Sequence, residues 1–171
     1  AEAQSLTSRV APRPVQAQWP MAFEVNAGQT DPQIDFIARG RGYTLLLTAT
    51  DVALSLVAPR GDDRIDPVLR MKLVGANRHA IKTGLEGLPG KVNYFLGNDS
   101  AAWRRDIATY AKVGYRDVYP GVDLVYYGNQ RRLEYDFIVA PGTDPQAIKL
   151  EFDGADELSV DAQGNLVLRS A

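Results

Sequence analysis

From Ile34 to Arg169 the chain is written in short apolar runs, each cut off before it could complete a helix of ordinary length. The runs are Ile34–Arg39, Tyr43–Thr48, Val52–Val57, Val68–Val74, Val92–Leu96, Tyr110–Tyr115, Val122–Tyr127, Leu133–Val139, Ile148–Phe152, Leu158–Asp161 and Leu166–Arg169. They are rich in Val, Leu, Ile and Tyr, residues that suit a pleated, half-buried surface. The interruptions are turn chemistry: Gly40-Arg41-Gly42, Pro59–Asp63, Gly87–Gly90, Pro141–Pro145 and Gln163–Asn165. Such spacing predicts an all-β domain, an antiparallel β-sandwich. Only Asp99–Ile107 reads as helical, with Asp99 or Ser100 as cap, and one short helix of one or two turns is expected there.

A weak internal repeat is visible. Leu69–Asn77 matches Ile148–Asp156 position for position, with alternating apolar residues ending in Gly-Ala-Asn or Gly-Ala-Asp. Two related halves would explain it, and so would the general likeness of strands that end in turns. Order is expected from about Trp19–Phe23. This gives a flexible lead-in over 1–18 and a single domain over 19–171, long enough to bury a core without staples.

Composition excludes several functions. Lys and Arg number 19 against 21 Asp and Glu, scattered together, so there is no basic stripe for nucleic acid or an anionic membrane. No apolar run reaches the length of a membrane span. Cysteine is absent and His79 is the single histidine, which removes Cys-His and Ser-His-Asp catalysis and the usual zinc ligand sets. No glycine-rich loop follows a strand and opens a helix, so no phosphate cradle is expected. Arg60-Gly61-Asp62 spells an integrin-type tripeptide, a motif too short to carry a function in a polar loop.

The richest stretch is Val118–Gly142, VYPGVDLVYYGNQRRLEYDFIVAPG. Alternation puts Val122, Leu124 and Tyr126 on one face, opposite Leu133, Tyr135, Phe137 and Val139 across a turn near Asn129. The other face then gathers Asp123, Tyr127, Arg132, Glu134 and Asp136. Three carboxylates there are candidate Ca²⁺ ligands, or an acid/base pair of the glycosidase kind. Arg116, Arg131 and Arg132 favour a plainer reading, a cross-strand ion-pair network on a solvated face. No cofactor is expected otherwise. The second half is crowded with aromatic residues, most of which suit a sheet core. Trp103, Tyr119 and Tyr127 lie next to turns or off the core face and are the candidates for a sugar- or peptide-binding platform.

Three blocks together resemble a known family: FEVNAGQTDPQIDFIARGRGYTLLLT (23–48), LPGKVNYFLGNDSAAWR (88–104) and YRDVYPGVDLVYYGNQRRLEYDFIVAPGTDPQAIKLEFDGAD (115–156). They look like the uncharacterised domain near the N-terminus of large bacterial exported proteins, ahead of SBBP-type β-propeller repeats and immunoglobulin-like modules. The resemblance implies an extracellular or cell-envelope setting, carries over no catalytic residue, and makes AEAQSLTSRVAPRPVQAQ (1–18) fit a mature N-terminus. The expected role is a non-catalytic accessory or interaction module. Its partners would be neighbouring domains of the same polypeptide, or an extracellular glycan or protein. A carbohydrate-binding module and a carboxylate hydrolase site are the alternatives.

Overall fold

A computed structural model describes residues 21–40, 42–56, 68–95, 97–129 and 132–169. The expectations placed on 1–18, Trp19, Val57, Arg60-Gly61-Asp62, Leu96 and Arg131 lie outside these residues. The chain is all-β and mostly antiparallel, a single sheet curled into a half-barrel. Its strands are β1 (Phe23–Val25), β2 (Phe36–Gly40), β3 (Tyr43–Leu47), β4 (Asp51–Leu56), β5 (Val68–Leu73), β6 (Ile81–Tyr94), β7 (Arg104–Tyr119), β8 (Val122–Asn129), β9 (Arg132–Val139), β10 (Leu150–Asp153), β11 (Glu157–Val160) and β12 (Leu166–Arg169). Ten of them hydrogen-bond into one sheet in the order β10-β5-β4-β3-β2-β1-β7-β8-β9, with β6 also on β7. The strands β11 and β12 form a separate hairpin.

The curl comes from β7. Tyr110 is paired with Gly87 of β6 and with Phe23 of β1, while Lys112 is paired with Leu85 of β6 and with Tyr127 of β8. One edge of β7 therefore belongs to β6 throughout, and β1 and β8 occupy successive stretches of the opposite edge. Two arms leave that edge, β1-β2-β3-β4-β5-β10 and β8-β9. They meet where a Cβ on Gly128 would strike Met21, so only glycine lets the two strand ends approach.

The ribbon bends because its register breaks. Shifts fall between Gly87 and Lys91, Val92 and Tyr94, and Tyr115 and Tyr119. Three non-glycine residues with positive φ, Glu86, Asp106 and Asp117, sit at these breaks. An extra residue on one strand raises local twist and turns the strand. The N–H groups freed at two breaks find side-chain acceptors, Asp106 on Asn93 Oδ1 and Asp117 on Asp123 Oδ1, each at 2.9 Å.

The core lies between the arms. Phe23, Phe36, Leu47, Val113, Tyr115, Val118, Val122, Leu124 and Tyr126 are buried in one cluster. Edge-to-face rings link the arms, with Phe36 against Tyr115 at 6.2 Å and Tyr115 against Tyr126 at 6.2 Å. A second, outer contact forms where the β6–β7 ribbon lies over β1 and β2. There the buried Glu24 accepts from the Tyr94 hydroxyl, which in turn accepts from Arg39 Nε at 3.0 Å.

Several expectations change. The predicted helix over Asp99–Ile107 is a single 3₁₀ turn at Ser100–Ala102, capped by Asp99, and Arg104–Ile107 belong to β7. The cap was legible, but cross-strand pairing with β6 decides the conformation of the residues after it. Val92–Tyr94 and Tyr110–Tyr115 are parts of strands of 14 and 16 residues. Gly87, Pro89 and Gly90, which read as breakers, are accommodated by the bulged ribbon, and the Tyr110 ring occupies the space over Gly84. The repeated segments are neighbours in one arm, with Leu73 opposite Leu150 and Met71 opposite Phe152. In place of two separate sheets, β7 makes the two arms one.

Candidate functional site

The two arms do not close over the whole core. A cleft of about 320 Å³ opens between them, lined by Tyr43 and Leu45 of β3, Val52 and Leu54 of β4, Leu69 and Met71 of β5, Phe152 of β10, and Leu133 and Tyr135 of β9. Inward alternation puts these side chains there. Residues i and i+2 share a face, and the register carries that face across Leu45–Leu54–Leu69 and Val52–Met71–Phe152. The walls end in β9 and β10, each of which pairs along one edge only among the described residues. The cleft is uncharged. Burial pushes the Tyr43 and Tyr135 hydroxyls above the ordinary tyrosine value, so both stay neutral in physiological buffers.

Outside the cleft, β7 is tied to the arm that carries β5 and β10. The Tyr119 hydroxyl donates to the carbonyl oxygens of Val74 (3.1 Å) and Lys149 (3.3 Å), tying β7 to the ends of β5 and β10. Tyr119, a candidate platform ring, is thus buried within the fold.

The other candidates are scattered. Asp123 holds the bulge at Asp117. Glu134 Oε1 accepts from Asn129 Nδ2 at 2.9 Å, near the hairpin turn. Tyr127 faces Glu134 across the strands, and desolvation, then the neighbouring Asp136 carboxylate, raises its pKa. Asp123 stands opposite Ile138, four residues along the strand from the Tyr127–Glu134 pair, or about 13 Å at ordinary strand rise. Among the described residues no group of three His, Cys, Asp or Glu converges as a metal site. Of the arginines expected in an ion-pair network, Arg131 lies outside the described residues, and among the described residues neither Arg116 nor Arg132 forms a salt bridge with these acids. Arg132 is exposed opposite Asn129.

Trp103 is placed differently again. It ends the 3₁₀ turn at the tip of the β6–β7 ribbon, edge-to-face with the exposed Phe95 at 5.2 Å. The Arg105 guanidinium lies 5.1 Å from the Trp103 ring, and the indole N–H donates to the Gly97 carbonyl at 3.2 Å. His79 is an exposed turn residue whose backbone N–H donates to Asn77 Oδ1.

Over residues 23–171 the sequence matches the family described as a domain of unknown function (DUF7948). The chain belongs to that family. The match begins at the first residue of β1 and spans both arms, the cleft and the β11–β12 hairpin. No curated protein and no solved structure matches.

Within this member of the family, sequence reasoning missed the cleft entirely. Alternation assigns Leu133 and Tyr135 to an apolar core face and puts the other lining residues only in strands, since a face reads as apolar whether or not another layer covers it. The single legible hint was the number of apolar strands available to one side of the fold.

Proposed function

We propose that the domain is a non-catalytic interaction module of a secreted or cell-surface bacterial protein, and that its cleft receives an extended polypeptide segment with apolar residues at alternate positions. One observation carries this reading: among the described residues, an apolar cleft with no charged lining is bordered by two strands paired along one edge only. Free edges offer backbone donors and acceptors to an added strand, and pockets beside them select alternate side chains. The exported setting rests on the resemblance of the three sequence blocks. SBBP-type repeats in the same polypeptide are then the natural source of the segment.

Fluorescence anisotropy with synthetic ten-residue peptides tests it. Peptides with alternating Val and Thr should bind, whereas the same composition in helical spacing should not. Tyr135→Lys should abolish binding by placing a charge on the cleft wall. Equal binding of both spacings, or binding unchanged by Tyr135→Lys, would remove the reading.

A glycan-binding reading is favoured by the Phe95–Trp103 pair, whose rings stand at a hairpin tip with Arg105 beside them. Loss of binding on a glycan array with Trp103→Ala would support it. An array on which no sugar binds the unmodified chain would end it.

A further inference from the structure

The tip of the β6–β7 ribbon holds one cation against two rings. The Arg105 guanidinium carbon lies 5.4 Å from the centre of the Phe95 ring and 5.1 Å from that of Trp103. Among the described residues no other Lys or Arg lies against two rings. The rings meet edge to face at 5.2 Å, and the indole is itself fixed by its N–H on the Gly97 carbonyl. The corner they form restricts a side chain that would otherwise sample many rotamers.

The guanidinium so held has no acceptor. Among the described residues no carboxylate pairs with Arg105 and no oxygen takes its N–H groups. Nearby in the chain, Asp99 Oδ1 is occupied by the Ala101 N–H. Arg104, by contrast, donates to the Ala101 and Trp103 carbonyls. Arg105 is exposed and Phe95 is 57% exposed, so ring surface stays open beside the free N–H donors. The Asn98 side-chain amide is exposed in the same turn, and it too has no partner among the described residues.

We infer that this corner binds an acidic glycan, the carboxylate of a uronic acid taking the Arg105 fork while the C–H face of the sugar lies on Phe95. The inference rests on the glycan-binding reading of the Phe95–Trp103 pair and names the class of sugar. A planar guanidinium meets a carboxylate through two parallel N–H···O bonds, stronger than bonds between neutral groups. It is weakly hydrated and here already ordered, so pairing removes little further freedom. Backbone chemistry favours a sugar over an acidic peptide, because an added strand needs free N–H and C=O groups. At this tip the Ala101, Ala102 and Trp103 N–H groups are taken by Asp99 and Ser100. The Gly97, Ala101 and Trp103 carbonyls are taken by the Trp103 and Arg104 side chains. What the tip still offers is a ring, a fork and an amide.

Isothermal titration calorimetry on the full chain tests this with an oligogalacturonate, its methyl ester and a neutral oligoglucoside. The acid should bind roughly tenfold more tightly than the ester, which has the same sugar and no charge. Arg105→Gln should bring the acid down to the affinity of the ester and leave the ester unchanged. Arg105→Lys, which keeps the charge without the fork, should fall between. Position 105 is exposed, so these variants should keep their fold. Arg78→Gln, which removes an equal charge from the turn before β6, should change nothing. Equal affinity for acid and ester, or acid binding that survives Arg105→Gln, overturns the inference. If Trp103→Ala then abolishes binding of both sugars, the glycan reading stands without it. Failure of all three sugars to bind also overturns it. In that case a glycan array on which other sugars bind keeps the glycan reading, and an empty array removes both. A glutamate oligopeptide that binds as tightly as the oligogalacturonate overturns the assignment to sugar.

Discussion

The Asp123 carboxylate accepts the backbone N–H of Asp117 at 2.9 Å, across a bulge at which Asp117 has a φ of 56°. One acidic side chain, a candidate ligand by sequence, thus holds another residue of β7 in the left-handed region. Positive φ costs an L-residue roughly 1–2 kcal/mol, so a compensating bond is needed where the fold demands it. Asp123→Ala should lower stability by about 1–2 kcal/mol in urea titrations, and Asp123→Asn, which keeps an acceptor, by less. Asp117→Gly should recover part of the loss in the Asp123→Ala background. Equal effects of Ala and Asn at position 123 would show that the bond does not hold the bulge.

Tyr126 should respond differently from Tyr119. The Tyr126 hydroxyl is buried with no hydrogen-bond partner among the described residues, so Tyr126→Phe removes a desolvated group and should be neutral or stabilising by about 1 kcal/mol. The Tyr119 hydroxyl has two carbonyl acceptors, and Tyr119→Phe should cost about 1–2 kcal/mol through loss of the bond to the Val74 carbonyl, since the Lys149 carbonyl keeps the Val74 N–H. Chemical denaturation of the two variants side by side measures the contrast. A loss at Tyr126 as large as that at Tyr119 would contradict it.

Alkaline pH should expose the same core. Burial raises the pKa of Tyr115 and Tyr126 far above the ordinary 10.0. A raised folded pKa means that the folded chain holds these protons more tightly than the unfolded chain. The associated stability is complete below pH 10 and declines as pH climbs toward the folded values. Stability should therefore fall above about pH 10, with a shallower slope in Tyr126→Phe. Phenolate absorbance would show these two rings ionising together with unfolding. Ionisation of all tyrosines at ordinary values in a still-folded chain would contradict the burial.

The junction of the arms offers a steric test. A Cβ at Gly128 meets the Met21 side chain and backbone, where β8 runs into the entry to β1. Gly128→Ala should destabilise the fold by about 1–3 kcal/mol through overpacking. Met21→Gly, which removes the Met21 Cβ nearest to the added atom, should relieve the clash in the double variant and make the two changes non-additive. Simple additivity in a double-mutant cycle would place the two residues apart.

The hairpin β8–β9 shows how much was legible. Its pairing, Leu124 with Phe137 and Tyr126 with Tyr135, comes from alternation and the turn near Asn129, and the structure has it. The strand β1 was not read, since three residues make no pattern. The long β6 was read only at its end, since Gly84 and Pro89 signal a break in any sequence window. Of the candidate residues, Asp123 and Tyr119 are used inside the fold. Their partners, Asp117 N–H and the carbonyls of Val74 and Lys149, are backbone groups that no side-chain pattern reveals.

By itself the sequence determined the strand-and-turn grammar and the faces of each strand, because side-chain alternation and turn chemistry act over a few residues. It also determined the absence of cysteine and of a basic stripe. Only the tertiary structure decided that β7 takes β1 and β8 on one edge, that its bulges fold the two arms together, and that the arms stop short of closing. Those outcomes depend on pairings between residues far apart in the chain, and the cleft exists only as the space such pairings leave.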